Sequence, residues 1–337
     1  MNPTNFAKYL TDFLTTYLSG QKNVSRNTIL AYRDTFKLLL KYSQDVKGIP
    51  IERISMDTLS TELITDFLNW LESERKCSIS TRNQRLASIH SFFRYVQGED
   101  PSGIYHFQKV ISIPIKKSEK TVVRHLSPEA MKLILEQPDK YSVKGRRDIT
   151  LLSVLYDTGA RVQELIDIKV CDAILDSPAV IVLTGKGNKV RRVPLMKNTL
   201  ALLQSYLSEN DLNKQWKNQY PLFVNNQHNK LTKEGVAYIL NKYVTMARSV
   251  STSIPEHISP HVLRHSKAMH LLQAGVNLIY IRDFLGHVDI KTTEVYARTD
   301  TETKRKAIEN VCPDIIDNNM PDWSKDKELL SWLSNLK

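Results

Sequence analysis

The chain has 337 residues and a formal net charge of +11. The length suggests two domains, and the charge suggests a polyanionic partner such as nucleic acid. The sequence has no run of about 18 apolar residues that could span a membrane, and its first residues lack the charged and apolar parts of a secretory signal. The three cysteines, at positions 77, 171 and 312, are odd in number and widely spaced. This pattern indicates reduced thiols in a cytoplasmic protein rather than disulfides or a zinc site.

The apolar residues of positions 1–110 recur at helical spacing and predict a small helical bundle. One helix is expected over Phe6 to Tyr17, a second after a cap at Ser25, a third near Glu62 to Glu74 and a fourth from Ser80. Arginines on these helices, outside the apolar stripes, are candidates for contact with DNA phosphates: Arg26, Arg33, Arg82 and Arg85. A solvated basic face is the alternative interpretation of the same residues.

Residues 111–125 are predicted to form a basic linker. The segment holds Pro114 and a single acid, Glu119, among several basic residues: Lys116, Lys117, Lys120 and Arg124. An extended basic connector suits two domains that close around a charged rod, although an ordinary interdomain linker can have the same composition. Lys116 and Lys117 therefore join the candidate phosphate contacts.

Residues 126–312 are predicted to form a second domain, which begins with clear signals for the start of a helix. The triplet from Ser127 to Glu129 supplies an N-cap, a proline and an acid for the first turn of a helix. Gly159 suits a left-handed cap at the end of a later helix. A β-rich run, a turn at 185–188 and a return strand predict a hairpin over residues 179–195. The expected fold class is mainly α with a small antiparallel β-sheet.

A helix that starts at Ser259 and Pro260 would carry His261, Arg264 and His265 on one face. The i, i+4 spacing of the two histidines could suggest a metal site. However, the guanidinium of Arg264 would repel the cation, and the glutamate of an HExxH motif is absent. An anion site is the better interpretation, because arginine, histidine and the positive end of a helix all favour negative charge. An exposed basic helix face is the alternative.

Other positions gain meaning from this cluster. Arg161 follows a glycine break at a predicted helix start, His287 follows a glycine, and Tyr296 lies a short distance beyond. Lys186 lies in a Gly-Lys-Gly turn whose surroundings do not fit the P-loop pattern. Each of these features is weak alone, since a single tyrosine is usually a packing residue.

In chain order these residues resemble the tyrosine recombinase (phage integrase) family: Arg161, Lys186, the His261-x-x-Arg264 motif, Leu285-Gly286-His287 and Tyr296. The resemblance covers nearly the whole chain. It implies a two-domain C-shaped clamp, with a helical SAM-like core-binding domain at 1–110 and a catalytic domain at 126–312. Val262, Lys267 and Met269 depart from common members of the family, and none of these departures removes a catalytic group.

The resemblance implies that Tyr296 attacks a backbone phosphate and forms a 3′-phosphotyrosyl link. A tyrosine hydroxyl has a pKa near 10 and needs a base, for which His261 is the candidate. Lys186, on its hairpin turn, would protonate the departing 5′ oxygen. Bond energy is kept in the covalent link, so no cofactor and no metal ion are expected.

Three further roles follow from the resemblance. Arg161 and Arg264 would donate to the non-bridging phosphate oxygens. Donors that are fixed before the reaction stabilise the negative charge of the transition state most. His287 would add a hydrogen bond to the same oxygens. Glu164, three residues after Arg161, would hold the site in shape, although a plain surface acid is the alternative.

The expected partners are double-stranded DNA with inverted-repeat core sites and further copies of the chain, as a homotetramer on two DNA sites. A sister recombinase or directionality factor is also possible within the family. Residues 313–337 form a tail with apolar residues that is expected to dock on a neighbouring protomer. Integration, excision or transposition of a mobile element in the bacterial cytoplasm is the first expectation. Chromosome or plasmid dimer resolution and relaxation of DNA by a type IB topoisomerase-like enzyme are the alternatives.

Overall fold

The computed structural model describes residues 4–118, 124–185, 187–299 and 327–335. The chain forms two compact units, residues 1–121 and 122–337. Helices predominate in both units and the sheet is small, so the predicted class, mainly α with a small antiparallel sheet, is confirmed. Within the described ranges, no helix is long and apolar enough to cross a membrane.

The first unit is helical, and its helices are α1 (Asn5–Asp12), α2 (Arg26–Asp45), α3 (Thr61–Ser73), α4 (Ile79–Glu99) and α5 (Ile104–Ile111). A π-helical segment, Phe13–Gln21, continues α1. The hydroxyls of Ser25, Ser60 and Ser78 each accept a hydrogen bond from the backbone amide three residues later. These contacts satisfy amides that have no partner inside the helix. The four helices predicted for this region are therefore present.

Aromatic rings fill the centre of the first unit. Phe13 and Phe92 pack edge to face with ring centroids 5.4 Å apart, and Phe36 lies 4.9 Å from Phe92. Each of these rings is at most 1% exposed, and edge-to-face pairs add to the stabilisation from buried apolar area. Helix α5 and Ile113 join the same core. The first residues of the predicted linker thus pack on the first unit.

The second unit contains the sheet and most of the remaining helices. Its helices are α6 (Pro128–Glu136), α7 (Val143–Thr158), α8 (Val162–Asp167), α9 (Lys197–Glu209), α10 (Lys233–Val250), α11 (Pro260–Gln273), α12 (Leu278–Leu285), α13 (Lys291–Thr299) and α14 (Lys327–Ser334). Of the tail predicted at 313–337, only residues 327–335 are described. They include α14, whose Trp332 and Leu333 are exposed.

The sheet is antiparallel, with strands β1 (Ala173–Ile174), β2 (Val180–Thr184) and β3 (Val190–Pro194) in sequence order. In the hairpin, Ile181 pairs with Val193, and both are buried. The predicted hairpin is therefore present with strand ends shifted by a residue, whereas the two-residue β1 was not predicted. Lys186, at the hairpin turn, lies outside the described residues.

Gly159 ends α7 in the left-handed conformation, with φ 56° and ψ 28°, as its position after a helix predicts. This turn directs the chain into α8, so that Arg161 becomes the N-cap residue of α8. The carbonyl oxygen of Gly159 also accepts a hydrogen bond from Arg264 Nη1 at 2.7 Å. A methyl group at position 159 would lie 3.1 Å from side-chain carbons of Phe284 and Leu285.

We expect Gly159→Ala to destabilise the second unit by about 2–5 kcal/mol. A Cβ in the left-handed region costs roughly 1–2 kcal/mol, and crowding in a packed core costs roughly 1–3 kcal/mol. The free energy of unfolding from urea titrations measures the loss.

Gly275→Ala is the matched control. Gly275 has a φ of +82°, but among the described residues other than its two neighbours in the chain, no heavy atom lies within 4 Å of the position that its Cβ would take. Gly275→Ala should therefore lower the free energy of unfolding only by the backbone strain, about 1–2 kcal/mol. Equal losses in the two variants would show that the contact with Phe284 and Leu285 does not matter.

Candidate active site

One cavity of about 320 Å³ brings together most of the predicted catalytic residues. Its lining residues are Arg161, His261, Arg264, His265, His287, Thr292, Val295 and Tyr296. A neighbouring cavity of about 390 Å³ shares Arg161 and His287 with the first and is also lined by Gly185. Lys186 follows Gly185 in the chain, but its own position is outside the described residues.

Arg264 is fixed in place before any substrate binds. Its side chain is 4% exposed, and its Nη1 and Nη2 donate to the carbonyl oxygens of Gly159 at 2.7 Å and Leu285 at 2.6 Å. Burial, and then the neighbouring guanidinium of Arg161, lower the pKa of Arg264 to about 10, so it remains charged near neutral pH. Two of its five N–H groups are used by carbonyls, and the others can serve an anion in the cavity.

Helix α11, which carries Arg264, is hydrogen-bonded to the first residues of the second unit. The Ser266 hydroxyl accepts from the amide of Leu126 at 2.8 Å, and His270 contacts the Leu126 carbonyl and the Tyr156 hydroxyl at 2.8 and 2.7 Å. Lys267 pairs with the buried carboxylate of Asp157 at 3.0 Å. Lys267 thus supplies an ion pair between α11 and α7.

Glu164 binds two arginines through one buried carboxylate. Its oxygens accept from the Arg161 amide at 2.9 Å, from Arg161 Nη1 at 2.7 Å, and from Arg191 Nη1 and Nη2 at 3.1 and 2.7 Å. A third guanidinium, that of Arg264, lies 4.0 Å away. Burial alone would raise the pKa of Glu164, but the hydrogen bonds from Arg191 and Arg161 outweigh it and lower the pKa to about 2. Glu164 is therefore an anion that orients the cluster.

Arg191 was not predicted as a site residue. Its side chain is 11% exposed, and its Nε donates to the carbonyl oxygen of Phe284 at 3.0 Å. A signal was present in the sequence, because side chains two apart share a face of a strand. Arg191 thus falls on the same face as the buried Val193 and needs a partner there.

His287 is held by the turn that follows α12. Gly286 adopts the left-handed conformation at the end of that helix, and His287 Nδ1 lies 2.9 Å from the hydroxyl of the fully buried Thr293. Burial, and then the cluster of arginines beginning with Arg264, lower the pKa of His287 to about 4. The ring is therefore neutral near pH 7, and it can donate through Nε2 when the Thr293 hydroxyl donates to Nδ1.

Tyr296 is almost fully buried on α13. It is 2% exposed, and its Oη lies 2.8 Å from Nδ1 of His265. Its ring is nearly parallel to that of His287, with centroids 6.4 Å apart. Burial raises the pKa of Tyr296, while Arg264 and Arg161 lower it in part. His261 was the predicted base for this hydroxyl, and the histidine in hydrogen-bond contact with it is His265.

The predicted phosphate contacts of the first unit fall into two groups. Arg26, Arg33, Lys116 and Lys117 are exposed, although Lys116 pairs with Glu72 at 2.8 Å. Arg85 is half-buried and donates to Ala31 and Thr35 on α2.

Arg82 was expected outside the apolar stripe of its helix, and this expectation is wrong. It is 3% exposed. Its Nη1 donates to the carbonyl oxygen of Pro114 at 3.2 Å, and its Nε lies 3.4 Å from Glu72. The guanidinium therefore holds the start of the linker to α4.

The arrangement favours an anion over a metal ion. In the described ranges, no three His, Cys, Asp or Glu side chains converge as metal ligands, and Arg264 projects beside His261 and His265 on the same helix. Two guanidiniums, several imidazoles and a tyrosine hydroxyl around one cavity can bind a tetrahedral oxyanion next to a nucleophile. Such a site has the chemistry of an enzyme that transfers a phosphoryl group through tyrosine.

Sequence comparisons agree with this class. Residues 124–303 match the phage integrase family, and residues 10–99 match the phage integrase N-terminal SAM-like domain. The candidate integrase/recombinase y4rC of Sinorhizobium fredii is 34% identical over 333 residues, which are 98% of each chain. Tyrosine recombinase XerC of Staphylococcus epidermidis is 30% identical over 296 residues, which are 88% of this chain and 94% of that protein.

Two solved structures share the fold. The Tn1549 transposon integrase in complex with transposon right end DNA has a TM-score of 0.69 at 17% identity and covers 90% of this chain and 99% of its own. The XerH site-specific recombinase bound to palindromic difH substrate has a TM-score of 0.68 at 23% identity and covers 86% of this chain and 81% of its own. The chain thus belongs to the phage integrase family of tyrosine recombinases, enzymes that break and rejoin DNA strands by transesterification.

We expect Glu164→Gln to lower the free energy of unfolding by about 3 kcal/mol near neutral pH. Glutamine keeps the shape but removes the charge that balances the guanidiniums. Because the folded pKa is depressed, this stabilisation is fully present above the unfolded pKa near 4.5 and is lost as the pH falls towards about 2. Urea titrations of both proteins at about pH 7 and about pH 3 should show the difference shrink by roughly half.

Glu209→Gln is the control for this prediction. Glu209 pairs with Arg146 at 2.9 Å, but its side chain is 36% exposed, so its loss should cost less than about 1 kcal/mol. A Glu164→Gln effect that is equally large at both pH values would mean that the carboxylate charge is not the source of the stabilisation.

Proposed function

We propose that the protein is a site-specific DNA recombinase in which Tyr296 attacks a backbone phosphate and forms a 3′-phosphotyrosyl intermediate. One observation carries the proposal: the tyrosine hydroxyl lies in the same cavity as the guanidiniums of Arg161 and Arg264 and the ring of His287. Attack on a phosphodiester gives a five-coordinate phosphorus with additional negative charge. Cationic and neutral donors around the cavity would stabilise that charge.

The two arginines have different parts in the proposed transition state. Arg264 is anchored by two carbonyl oxygens, and Arg161 is anchored by the Glu164 carboxylate while its side chain stays 34% exposed. Donors fixed before the reaction need no reorganisation, and each is worth roughly 10²–10³ in rate. His287, oriented by Thr293, supplies a neutral N–H to the same oxygens.

Lys186 is the proposed acid that protonates the departing 5′ oxygen. The support is its place in the sequence, at the turn between β2 and β3. The flanking Gly185 lines the cavity beside Arg161 and His287. A lysine is charged near neutral pH and can give a proton to an alkoxide as the bond to phosphorus breaks.

Strand exchange follows from the covalent intermediate. The freed 5′ hydroxyl of one DNA attacks the phosphotyrosine of the other, which restores a phosphodiester and releases Tyr296. We propose that four copies hold two inverted-repeat core sites during this exchange and that the tail at 313–337 links neighbouring copies. The exposed Trp332 and Leu333 of α14 support an apolar docking role for the tail.

Exposed basic residues of the first unit are the proposed contacts to the DNA backbone: Arg26, Arg33, Lys116 and Lys117. Contacts of this kind fix the register of the protein on DNA without reading the base sequence. Arg82 is buried and Arg85 is half-buried, and both donate to protein groups. We therefore do not assign these two less exposed arginines to phosphates.

The proposed biological task is integration, excision or transposition of a mobile element. The similarity to the integrase/recombinase y4rC, which extends over 98% of the chain, supports this choice. Dimer resolution is the second candidate, supported by the similarity to the tyrosine recombinases XerC and XerD. Site-independent relaxation of supercoils without recombinant product would instead indicate a type IB topoisomerase-like activity.

We expect wild-type protein, but not Tyr296→Phe, to form a covalent adduct with a nicked duplex of the inverted-repeat core site that flanks its gene. The nick lets a short fragment diffuse away after cleavage, so the adduct accumulates. Phenylalanine preserves the buried ring and removes the nucleophile. Denaturing gel electrophoresis detects the adduct, and a mobility-shift assay confirms that both proteins bind DNA.

An adduct that forms equally with both proteins would mean that another residue attacks. Peptide mapping of the wild-type adduct should place the DNA on Tyr296, linked through a 3′ phosphate. Binding of both proteins without any adduct on a verified core site would contradict the proposed activity.

We expect Lys186→Ala to slow cleavage of the normal phosphodiester by roughly 10²–10⁴, the usual contribution of a general acid. A substrate with sulfur in place of the bridging 5′ oxygen should restore the rate, because a thiolate leaves without a proton. Lys189→Ala, in the same hairpin, is the control and should show no selective rescue by sulfur. Failure of the sulfur substrate to rescue Lys186→Ala would remove this lysine from the acid role.

A further inference from the structure

The hydroxyl of Tyr296 has a specific partner that the family motif does not include. Oη lies 2.8 Å from Nδ1 of His265, and the two ring centroids are 5.7 Å apart. His265 directly follows Arg264 on α11 and lines the same cavity. We infer that His265, rather than His261, accepts the proton of Tyr296 during cleavage; this inference rests on the proposed nucleophilic role of Tyr296.

The proposed role requires one protonation state of His265. A tyrosine hydroxyl donates to Nδ1 only when that nitrogen carries no proton, so the neutral ring has its hydrogen on Nε2. Burial, then His261 and Arg264, lower the pKa of His265, and these effects favour the neutral ring near pH 7. Within the described ranges, Tyr296 on α13 and His287 on the turn before it also lie close to this ring.

His261 occupies a different place in the same cavity. It is an exposed residue in the first turn of α11, near the positive end of the helix and beside Arg264. A side chain at this position suits contact with a phosphate oxygen, because helix N-termini favour anions. The two histidines therefore have different proposed roles. His261 contacts the phosphate of the substrate, and His265 accepts the proton of the nucleophile.

The proposed step moves two protons, one from Tyr296 to His265 and one from Lys186 to the departing oxygen. The O–H bond of Tyr296 breaks and its proton forms an N–H bond at His265 Nδ1, while Oη forms the new bond to phosphorus. The bond from phosphorus to the 5′ oxygen breaks, and that oxygen takes a proton from Lys186. The imidazolium is formed close to Arg264, where a second cation is unfavourable in the free protein. The additional negative charge on phosphorus offsets that cost only while the transition state lasts, and rejoining returns the proton to Tyr296.

Single-turnover cleavage of the sulfur-bridged substrate isolates this step, because its leaving group needs no acid. We expect the wild-type rate to fall as the pH drops through the lowered pKa of His265, since the protonated ring cannot accept from the hydroxyl. In His265→Gln, the amide oxygen can still accept the hydrogen bond but cannot take the proton. The rate should fall by roughly 10²-fold or more and lose the acidic limb of its pH profile.

His261→Gln is the matched comparison. It should bind or stabilise the phosphate less well, but its pH profile should keep the acidic limb. Added imidazole should partly restore cleavage by His265→Ala, in which the cavity has room for a free base, and should not restore His261→Ala. Thermal unfolding and DNA mobility shifts of all variants separate these effects from a loss of folding or binding.

The inference is overturned if His265→Gln keeps both the rate and the acidic limb, or if His261→Gln loses the limb and His265→Gln does not. A different failure belongs to the proposed function itself: a phosphotyrosyl adduct that still forms with Tyr296→Phe. The adduct assay and the pH profile therefore distinguish a wrong base from a wrong nucleophile.

Discussion

The site depends on one buried negative charge. Glu164 joins the N-cap of α8 to strand β3 by binding Arg161 and Arg191, and it lies at the edge of ion-pair distance from Arg264. Without this carboxylate, three guanidiniums would share a largely buried region with no anion, which is unfavourable at low dielectric. With it, the cluster retains an excess of positive charge. That excess is what a phosphate can neutralise when it enters the cavity.

Backbone carbonyl oxygens also hold the arginines of this site in place. The oxygens of Gly159 and Leu285 accept from Arg264, and that of Phe284 accepts from Arg191. Each of these carbonyls lies near the end of a helix, where the backbone oxygens lack partners within the helix. The ends of α7 and α12 thus satisfy their own hydrogen-bonding needs by orienting the arginines. Gly159 and Gly286, the left-handed glycines that end these two helices, therefore turn the chain and also help to position the carbonyl oxygens that bind the arginines.

Features that depend on residues close together in the chain were mostly predicted from the sequence. The cap at Ser25, the break at Gly159 and the β2–β3 hairpin follow from neighbouring residues, and the order of the catalytic motif resembles a known family. Contacts between distant elements were harder to foresee. Arg82 looked exposed because its helix was considered alone, whereas Glu72 and Pro114 cover it. Thr293 and Arg191 were missed, and the contact between Tyr296 and His265 was not foreseen, because partner choice depends on how helices pack.

The packing of Tyr296 explains why the proposed attack would need a local base. The arginines lower the pKa of this hydroxyl, but burial has the larger effect and raises it. Once a phosphate binds, its negative charge offsets part of the arginine field, so the same cations cannot both hold the phosphate and keep the phenol ionised. Ionisation before attack is therefore unfavourable in the state that reacts. Transfer of the proton to an adjacent neutral imidazole as the bond to phosphorus forms avoids a free phenolate, and His265 is the ring whose nitrogen lies 2.8 Å from that hydroxyl.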